Sequence, residues 1–382
     1  MKNQEKIKVL ELIDEAKVGG GQIHLLLLTK YLDKNKYDVY VACEPEGFLV
    51  DELKKIQIPV LPIYISNKLR ISSIKCLISI YQKYNFDIIH THGGTAGFWG
   101  RLTALFVRRK PILIHTFHGI HYLNLNIFKK YIFILIDRIL SKITAKNIFV
   151  CESDYKKGIE AKISSQKNSI VIQNGIDVEN YIKKIDRNTA RAKFAFKDEF
   201  VFGNVGRLHK QKGQMYLIKA FAELRKKYSN VLLAIVGDGE LYKELRKLTK
   251  DLKIDDKVLF LGSRNDVADF LYAIDVFVLP SLWEGQPLTI FEAMAASKPI
   301  IATSIDGVRE ILTDMKNALL CPPSDVRALS ESMERLYKDN ELANELARES
   351  RKNVINGYSA HHTAEKISNL YLQLYRKFKN LA

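Results

Sequence analysis

A block running from Pro280 to Ala295, PSLWEGQPLTIFEAMA, holds two glutamates, Glu284 and Glu292, with seven residues between them. Pro287 suits the first turn of a helix, where its missing N–H does no harm. The start of that helix offers N–H groups to a phosphate, and Glu284 lies in the loop before it. Glu292 falls inside the helix, in a run otherwise apolar, where a carboxylate is expensive to bury unless a partner or hydroxyls meet it. Two carboxylates so placed can hold a polyol: a sugar and a ribose. A second block, GNVGRLHKQKG at 203–213, sets Arg207 and Lys212 beside glycines. Arg offers a planar fork and Lys a point charge, a pair that suits a diphosphate.

Other motifs are less specific. Gly19, Gly20 and Gly21 precede Gln22 after an apolar run, so a backbone there can approach an anion closely, or simply turn. Gly237 and Gly239 form half of a dinucleotide fingerprint, but Tyr242 stands at the third glycine position, and a tight strand-to-helix turn is the better reading. Five histidines, His90, His92, His115, His118 and His121, gather in the first half. Their spacing lacks the cysteine or carboxylate partners of a zinc site, and no metal is expected. His118, at the end of a strand in TFHG, is the one expected to face a cleft. The stretch 127–143, IFKKYIFILIDRILSKI, alternates basic and apolar residues. As a helix it either lies on an anionic membrane or packs against a sheet.

These residues need elements to position them. The first half alternates short Ile- and Val-rich strands (7–13, 39–42, 60–63, 88–91, 112–117, 148–151 and 170–173) with helical patterns at 25–32, 49–56, 71–84, 95–108 and 127–141. A polar pause follows at 174–189. The pattern restarts with strands at 200–205, 232–236, 258–261, 276–279, 300–302 and 318–320, and helices at 216–227, 241–252, 267–273 and 289–296. A helical tail runs from about residue 325, broken near 356–359. Short apolar strands separated by helices imply parallel sheets covered on both faces, in two successive α/β units. In such sheets ligands bind beyond the carboxyl ends of the strands, where the motifs fall.

The chain has 382 residues, 47% hydrophobic and 27% charged, which excludes a disordered or collagen-like protein. No apolar run is long enough to span a bilayer. The acidic residues Glu11, Asp14 and Glu15 interrupt the first apolar run, so it reads as a strand rather than a signal peptide. Cys43, Cys76, Cys151 and Cys321 form no CxxC pair, which points to reduced thiols in a cytoplasmic protein. The formal charge is +16, and up to Gly175 there are 26 basic against 15 acidic residues. Such a field favours a polyanionic partner: nucleic acid, an anionic membrane face or phosphorylated ligands.

Taken together, GGGQ (19–22), His118 after a strand, NGID (174–177), GRLHKQKG (206–213), VGDG (236–239), FLGS (260–263) and SLWEGQPLTIFEAMA (281–295) resemble the glycosyltransferases of the GT-B fold, specifically the large retaining family 4. The likeness spans most of the chain, and its order and spacing are more telling than any one motif. It implies two Rossmann-like doubly wound domains facing a central cleft: an acceptor domain at 1–180, a donor domain at 181–359, and a C-terminal helix, 360–382, crossing back to the first. It implies that Arg207 and Lys212 hold the donor diphosphate, with Gly20 and Gly21 approaching it and the backbone of Leu288 and Thr289 meeting the phosphate or ribose. Glu292 would bind the ribose, Ser263 and Arg264 would lie near the base, Glu284 would contact the transferred sugar, and His118 would assist transfer.

The family also implies a UDP- or GDP-sugar donor as substrate, with no cofactor or metal; no DxD motif is present. The acceptor would be a saccharide or a lipid-diphosphate-linked saccharide in bacterial cell-surface polysaccharide synthesis. The basic first half suits work at the inner face of the cytoplasmic membrane. Gln286 departs from the Phe or Leu common in the family, which bears on sugar recognition. Two alternatives accompany this reading: a GT-B-like nucleotide-sugar epimerase, and a basic nucleic-acid or membrane-binding protein without catalysis. The basic residues follow no nucleic-acid-binding motif, so no nucleic acid is expected as partner.

Overall fold

The computed structural model describes residues 5–65, 71–120, 122, 126–182 and 185–380. His121 lies outside the described residues. The chain divides into two compact units, one of Met1–Gly175 with Ala360–Ala382 and the other of Ile176–Ser359, so the division falls a few residues before position 180.

The first unit holds strands β1 (Ile7–Leu12), β2 (Tyr37–Cys43), β3 (Val60–Pro62), β4 (Ile88–His92), β5 (Ile112–Phe117), β6 (Lys146–Phe149) and β7 (Ser169–Val171). They form one parallel sheet in the order β3-β2-β1-β4-β5-β6-β7. The second unit holds β8 (Phe200–Val205), β9 (Val231–Val236), β10 (Val258–Phe260), β11 (Val276–Leu279), β12 (Ile300–Thr303) and β13 (Leu319–Cys321). Its parallel sheet runs β10-β9-β8-β11-β12-β13. In each unit the order reverses beside the first strand, between β1 and β4 and between β8 and β11. The loops leaving those strands diverge there and open a crevice at their carboxyl ends.

The strands form where β-branched residues repeat, because both sheet faces are buried; Val231, Leu233 and Ile235 are fully buried on one face and Ala234 on the other. The helix Ala360–Lys379 belongs to the first unit. Its Ala364, Ile367, Leu370 and Tyr371 pack with Val9, Ile88 and Ile114 of the sheet, and the Tyr37 hydroxyl donates to Ser368 O at 2.8 Å.

Four differences from the sequence pattern have local causes. The first helix begins at Gly20, not near His24 or Leu25, because glycines carry no apolar period to read. The strand expected at 148–151 starts at Lys146, since Cys151 caps the helix Glu152–Glu160. The helix Arg187–Lys193 begins at the end of the polar pause; Asp186 caps it by accepting from Thr189 N–H at 2.9 Å. The C-terminal tail breaks a second time at Asp339, which accepts from Leu342 N–H at 2.9 Å and caps Asn340–Gly357.

Candidate active site

The crevice between β8 and β11 collects the phosphate and sugar candidates of the second unit. After β8 the chain makes a short 3-10 turn, Lys210–Lys212, and ends it at Gly213 with φ +64°. A Cβ there would lie 2.1 Å from Pro280 O, so only glycine lets this loop press on the one after β11. The loops are also tied by Leu282 N–H donating to Gln211 O at 2.7 Å. This contact brings Lys212 Nζ within 2.6 Å of Glu284 Oε1. Ser281 Oγ donates to the same oxygen at 2.7 Å, and Gln211 Nε2 donates to Glu284 Oε2 at 3.1 Å. The Glu284 side chain, 7% exposed, thus accepts from three donors. Arg207 remains exposed, its backbone carbonyl accepting from Gln214 Nε2 at 3.1 Å.

Pro287 caps the helix Leu288–Ala295 and Leu288 opens it. Thr289 Oγ1, in the first turn, is buried and makes no hydrogen bond among the described residues. One turn on, Glu292 is buried and accepts from the Tyr181 hydroxyl at 2.8 Å. Burial pushes its carboxyl up to about 7, with the Tyr181 hydrogen bond opposing the rise. The cost of burying that acid, anticipated from sequence, is therefore visible as a group poised between its two charge states. Ser263 is exposed, whereas Arg264 is committed to Asp266 through two 2.7 Å hydrogen bonds and lies over the Phe194 ring. The structure groups Lys212 with Glu284 and leaves Arg264 tied to its own neighbour.

In the first unit Gly20 and Gly21 form the first turn of the helix Gly20–Tyr31. Among the described residues nothing lies within 4 Å of where a Gly20 Cβ would be, while a Gly21 Cβ would meet His118 Cδ2 at 3.4 Å. His118 therefore sits against the glycine turn. Behind it lies a buried polar chain. His118 Nε2 and His92 Nδ1 are 3.2 Å apart; His92 Nε2 meets Glu11 Oε2 at 2.8 Å; Tyr371 donates to Glu11 Oε1 at 2.7 Å. His90 Nδ1 meets the Tyr371 hydroxyl at 2.5 Å, and His90 Nε2 meets Thr116 Oγ1 at 2.7 Å. Burial pushes His92 down to about 4 and His24 down to about 3. Burial alone would raise the Glu11 carboxyl, but His90 and His92 outweigh it and hold it well below the usual carboxylate range.

Two triads could hold a metal ion by proximity alone: His24, His92 and His118, and Glu11, His90 and His92, each with donor atoms within 4.8 Å of one another. The carboxylate missing from the local histidine spacing comes from β1, 81 residues before His92.

Sequence reading missed Tyr181, Ser281, Gln211, Glu11, His24 and Tyr371 as site residues. Only Glu11 carried a signal, an acid inside a mostly apolar strand.

The helix Ile127–Ile143 is exposed on its apolar side: Phe128 is 80% exposed, Tyr131 63% and Ile132 57%. Leu105 and Phe106 are exposed as well. Its inner side is held by Asp137, whose Oδ1 accepts from Arg101 at 2.6 Å and Oδ2 from Tyr122 at 2.7 Å. One face of the helix packs on the first unit, and the other is exposed. Among the described residues no helix is long and apolar enough to cross a membrane.

The model of the "Glycosyl transferases group 1" family matches residues 186–353, and that of "Glycosyltransferase Family 4" matches residues 18–180. The chain belongs to glycosyltransferase family 4. It is a glycosyltransferase with the GT-B fold. It is 29% identical over 379 residues, 97% of each chain, to the Escherichia coli UDP-Gal:alpha-D-GlcNAc-diphosphoundecaprenol alpha-1,3-galactosyltransferase. It is 25% identical, over 97% of each chain, to the capsular polysaccharide biosynthesis glycosyltransferase CapM of Staphylococcus aureus. Among solved structures, Anabaena HepE in complex with UDP and glucose matches with a TM-score of 0.84 at 21% identity, covering 95% of this chain and 99% of that one. The epimerase and non-catalytic readings are not favoured by this company.

Proposed function

We propose that this glycosyltransferase moves a sugar from a UDP- or GDP-sugar to a saccharide carried on a lipid diphosphate, during assembly of bacterial surface polysaccharide. One observation carries the reading: the Lys212 cation and the Glu284 carboxylate converge at the β8/β11 crevice, beside a helix start and one helical turn from Glu292. Arg207 and Lys212 hold the diphosphate, and the N–H groups of Leu288 and Thr289 meet its phosphate or ribose side. Glu292 takes the ribose hydroxyls. Glu284 meets the sugar, Ser263 and Arg264 the base. The family likeness assigns Gly20, Gly21 and His118 of the first unit to the donor as well. The cations stabilise charge as it builds on the leaving diphosphate, so the transfer needs no metal. No side chain is assigned as a nucleophile, and the acceptor attacks on the face the diphosphate leaves, with retention of configuration.

The relatives' names support the acceptor class: the Escherichia coli relative acts on a diphosphoundecaprenol-linked sugar, and CapM belongs to capsular polysaccharide biosynthesis. The bare apolar side of Ile127–Ile143, with Lys129, Lys130 and Lys142 on the same helix, supports a peripheral position on an anionic membrane, at its cytoplasmic face.

A thermal-shift titration with UDP, GDP, ADP and their sugars, beside Arg207→Ala, tests the donor site, because a ligand of the folded state raises the melting temperature. The reading expects a shift with one nucleotide class that the variant loses. Transfer of that sugar to a lipid-diphosphate saccharide, with the product's anomeric configuration read by NMR and chelator present, tests the rest. No shift with any nucleotide and no transfer would overturn it.

A further inference from the structure

We infer that Tyr181 is a positioning residue for Glu292: its hydroxyl takes Oε1 of the carboxylate and leaves Oε2 to accept from one ribose hydroxyl of the donor. The inference rests on the proposed meeting of Glu292 with the ribose. It goes beyond that meeting by naming what orients the carboxylate and how many hydroxyls it reads.

Both residues belong to the second unit. Glu292 is 5% exposed, between buried Phe291 and Ala293 on the helix Leu288–Ala295. The Tyr181 hydroxyl donates to its Oε1 at 2.8 Å and is its one hydrogen-bond donor among the described residues. A carboxylate held on one oxygen in such a site keeps that orientation, because turning would leave its charge without a donor. Tyr181 is itself held. It lies in the short helix Glu179–Ile182, and its carbonyl accepts from the Tyr272 hydroxyl at 2.6 Å. Tyr272 lies in the helix Val267–Ala273, and Lys298 Nζ ties down the end of that helix by donating to Tyr272 O at 3.3 Å and Ile274 O at 2.9 Å. Segments far apart in sequence thus fix one phenol against one carboxylate, an arrangement that needs no reordering when donor binds.

The other charged groups on the elements packed around this helix are engaged elsewhere or exposed. Asp269 pairs with Lys193, Arg351 donates to Ser297 Oγ at 2.9 Å, and Glu179 is exposed. Burial first, then the charges of Glu292 and Asp177, raise the Tyr181 phenol well above its ordinary range, so it stays a donor. Its hydrogen bond opposes the rise that burial imposes on Glu292. With Oε1 committed, one ribose hydroxyl gains the charge-assisted bond and the other does not.

The test titrates UDP and GDP, with their 2′-deoxy and 3′-deoxy forms, into the wild type and Tyr181→Phe. The wild type should lose roughly ten- to a hundredfold in affinity for one deoxy form and little for the other. Tyr181→Phe, with both oxygens open, should bring the two losses together. Without nucleotide, carbon-13 spectra of glutamate-labelled protein follow the titration of Glu292, assigned by Glu292→Gln. It should centre at about 7 in the wild type, and about one pH unit higher in Tyr181→Phe, where a hydrogen bond to the charged form is gone. A role in packing alone would move neither readout. Equal effects of the two deoxy forms on the wild type, or an unmoved titration in folded Tyr181→Phe, would overturn the proposal. Should Tyr181→Phe not fold, Tyr272→Phe carries the test: releasing the Tyr181 helix should shift the same titration upward, and an unchanged one overturns it. A wild type that binds neither UDP nor GDP would count against the ribose site, whereas the nucleotide-free titration decides the hold of Tyr181 on Glu292.

Discussion

The Lys212 ammonium and the Glu284 carboxylate are 2.6 Å apart, so the cation assigned to the donor diphosphate is neutralised by the carboxylate assigned to the transferred sugar. The pair is nearly buried, held by Ser281 and Gln211, and comes from loops on either side of the β8/β11 reversal. On the proposed reading, donor binding shares Lys212 between Glu284 and a phosphate.

This sharing separates the two cations. Arg207→Ala removes an exposed charge, and it should leave stability within about 0.5 kcal/mol. Donor affinity should fall roughly ten- to a hundredfold, the worth of a charge-assisted hydrogen bond. Lys212→Met should weaken binding by a similar factor and, in addition, lower stability by about 2 kcal/mol, because Glu284 loses its counter-charge while buried. Isothermal titration with the nucleotide sugar and urea denaturation read the two effects; equal stability of both variants would contradict the pairing.

Glu292 makes donor binding depend on pH. Its carboxyl lies near 7 rather than the ordinary 4.5, and on the proposed reading ribose hydroxyls donate to the ionised form. Binding should release a proton, and affinity should rise from pH 6 to pH 8. Titrations in buffers of different ionisation enthalpy count that proton. The stability sign runs the other way: a raised acid favours the folded state below 4.5 and loses that contribution as pH climbs through 7, up to about 3 kcal/mol. Glu292→Gln should therefore gain stability relative to the wild type at pH 8 while losing donor affinity.

Gly307 backs the Glu284 loop. It lies in the short helix Asp306–Arg309, and an added Cβ would fall 1.7 Å from Gly285 O and 2.8 Å from Glu284 O. The obstruction is backbone, so the loop must move. Gly307→Ala should cost about 1–3 kcal/mol and raise donor KM, read by thermal unfolding and steady-state kinetics. Gly357→Ala, at a glycine whose added Cβ would meet nothing within 4 Å among the described residues, is the control that should not touch donor KM.

The bare side of Ile127–Ile143 predicts lipid binding. Phe128→Ser with Ile132→Ser should reduce co-sedimentation with anionic vesicles at least tenfold, given about 1.5–3 kcal/mol for each large apolar side chain buried. Thermal stability should not fall, since both side chains are already exposed. Vesicles of zwitterionic lipid should bind more weakly, and equal binding to both would remove the charge from the explanation.

Much of the fold was readable in the sequence because its determinants are local. Short apolar runs, most of them rich in Ile and Val, mark the thirteen strands of the described residues within a few residues, and glycines and prolines mark the loops at the strand ends. Lys212, Glu284 and Glu292 were legible for the same reason: their types, and their places after strands, already suggest phosphate and polyol chemistry. The polar pause was less legible, because the short helix Arg187–Lys193 depends on a cap rather than a period.

What only the tertiary structure decided is partnership. Tyr181 reaches Glu292 across 111 residues, and Tyr371 reaches Glu11 across 360. The spacing of His90 and His92 could not show that the carboxylate behind them sits on the neighbouring strand, in register with His90. Side-chain period is a property of the chain within a few residues, whereas a hydrogen bond between strands depends on sheet order. That order is set by which hydrophobic faces bury together, and no short stretch of sequence contains it.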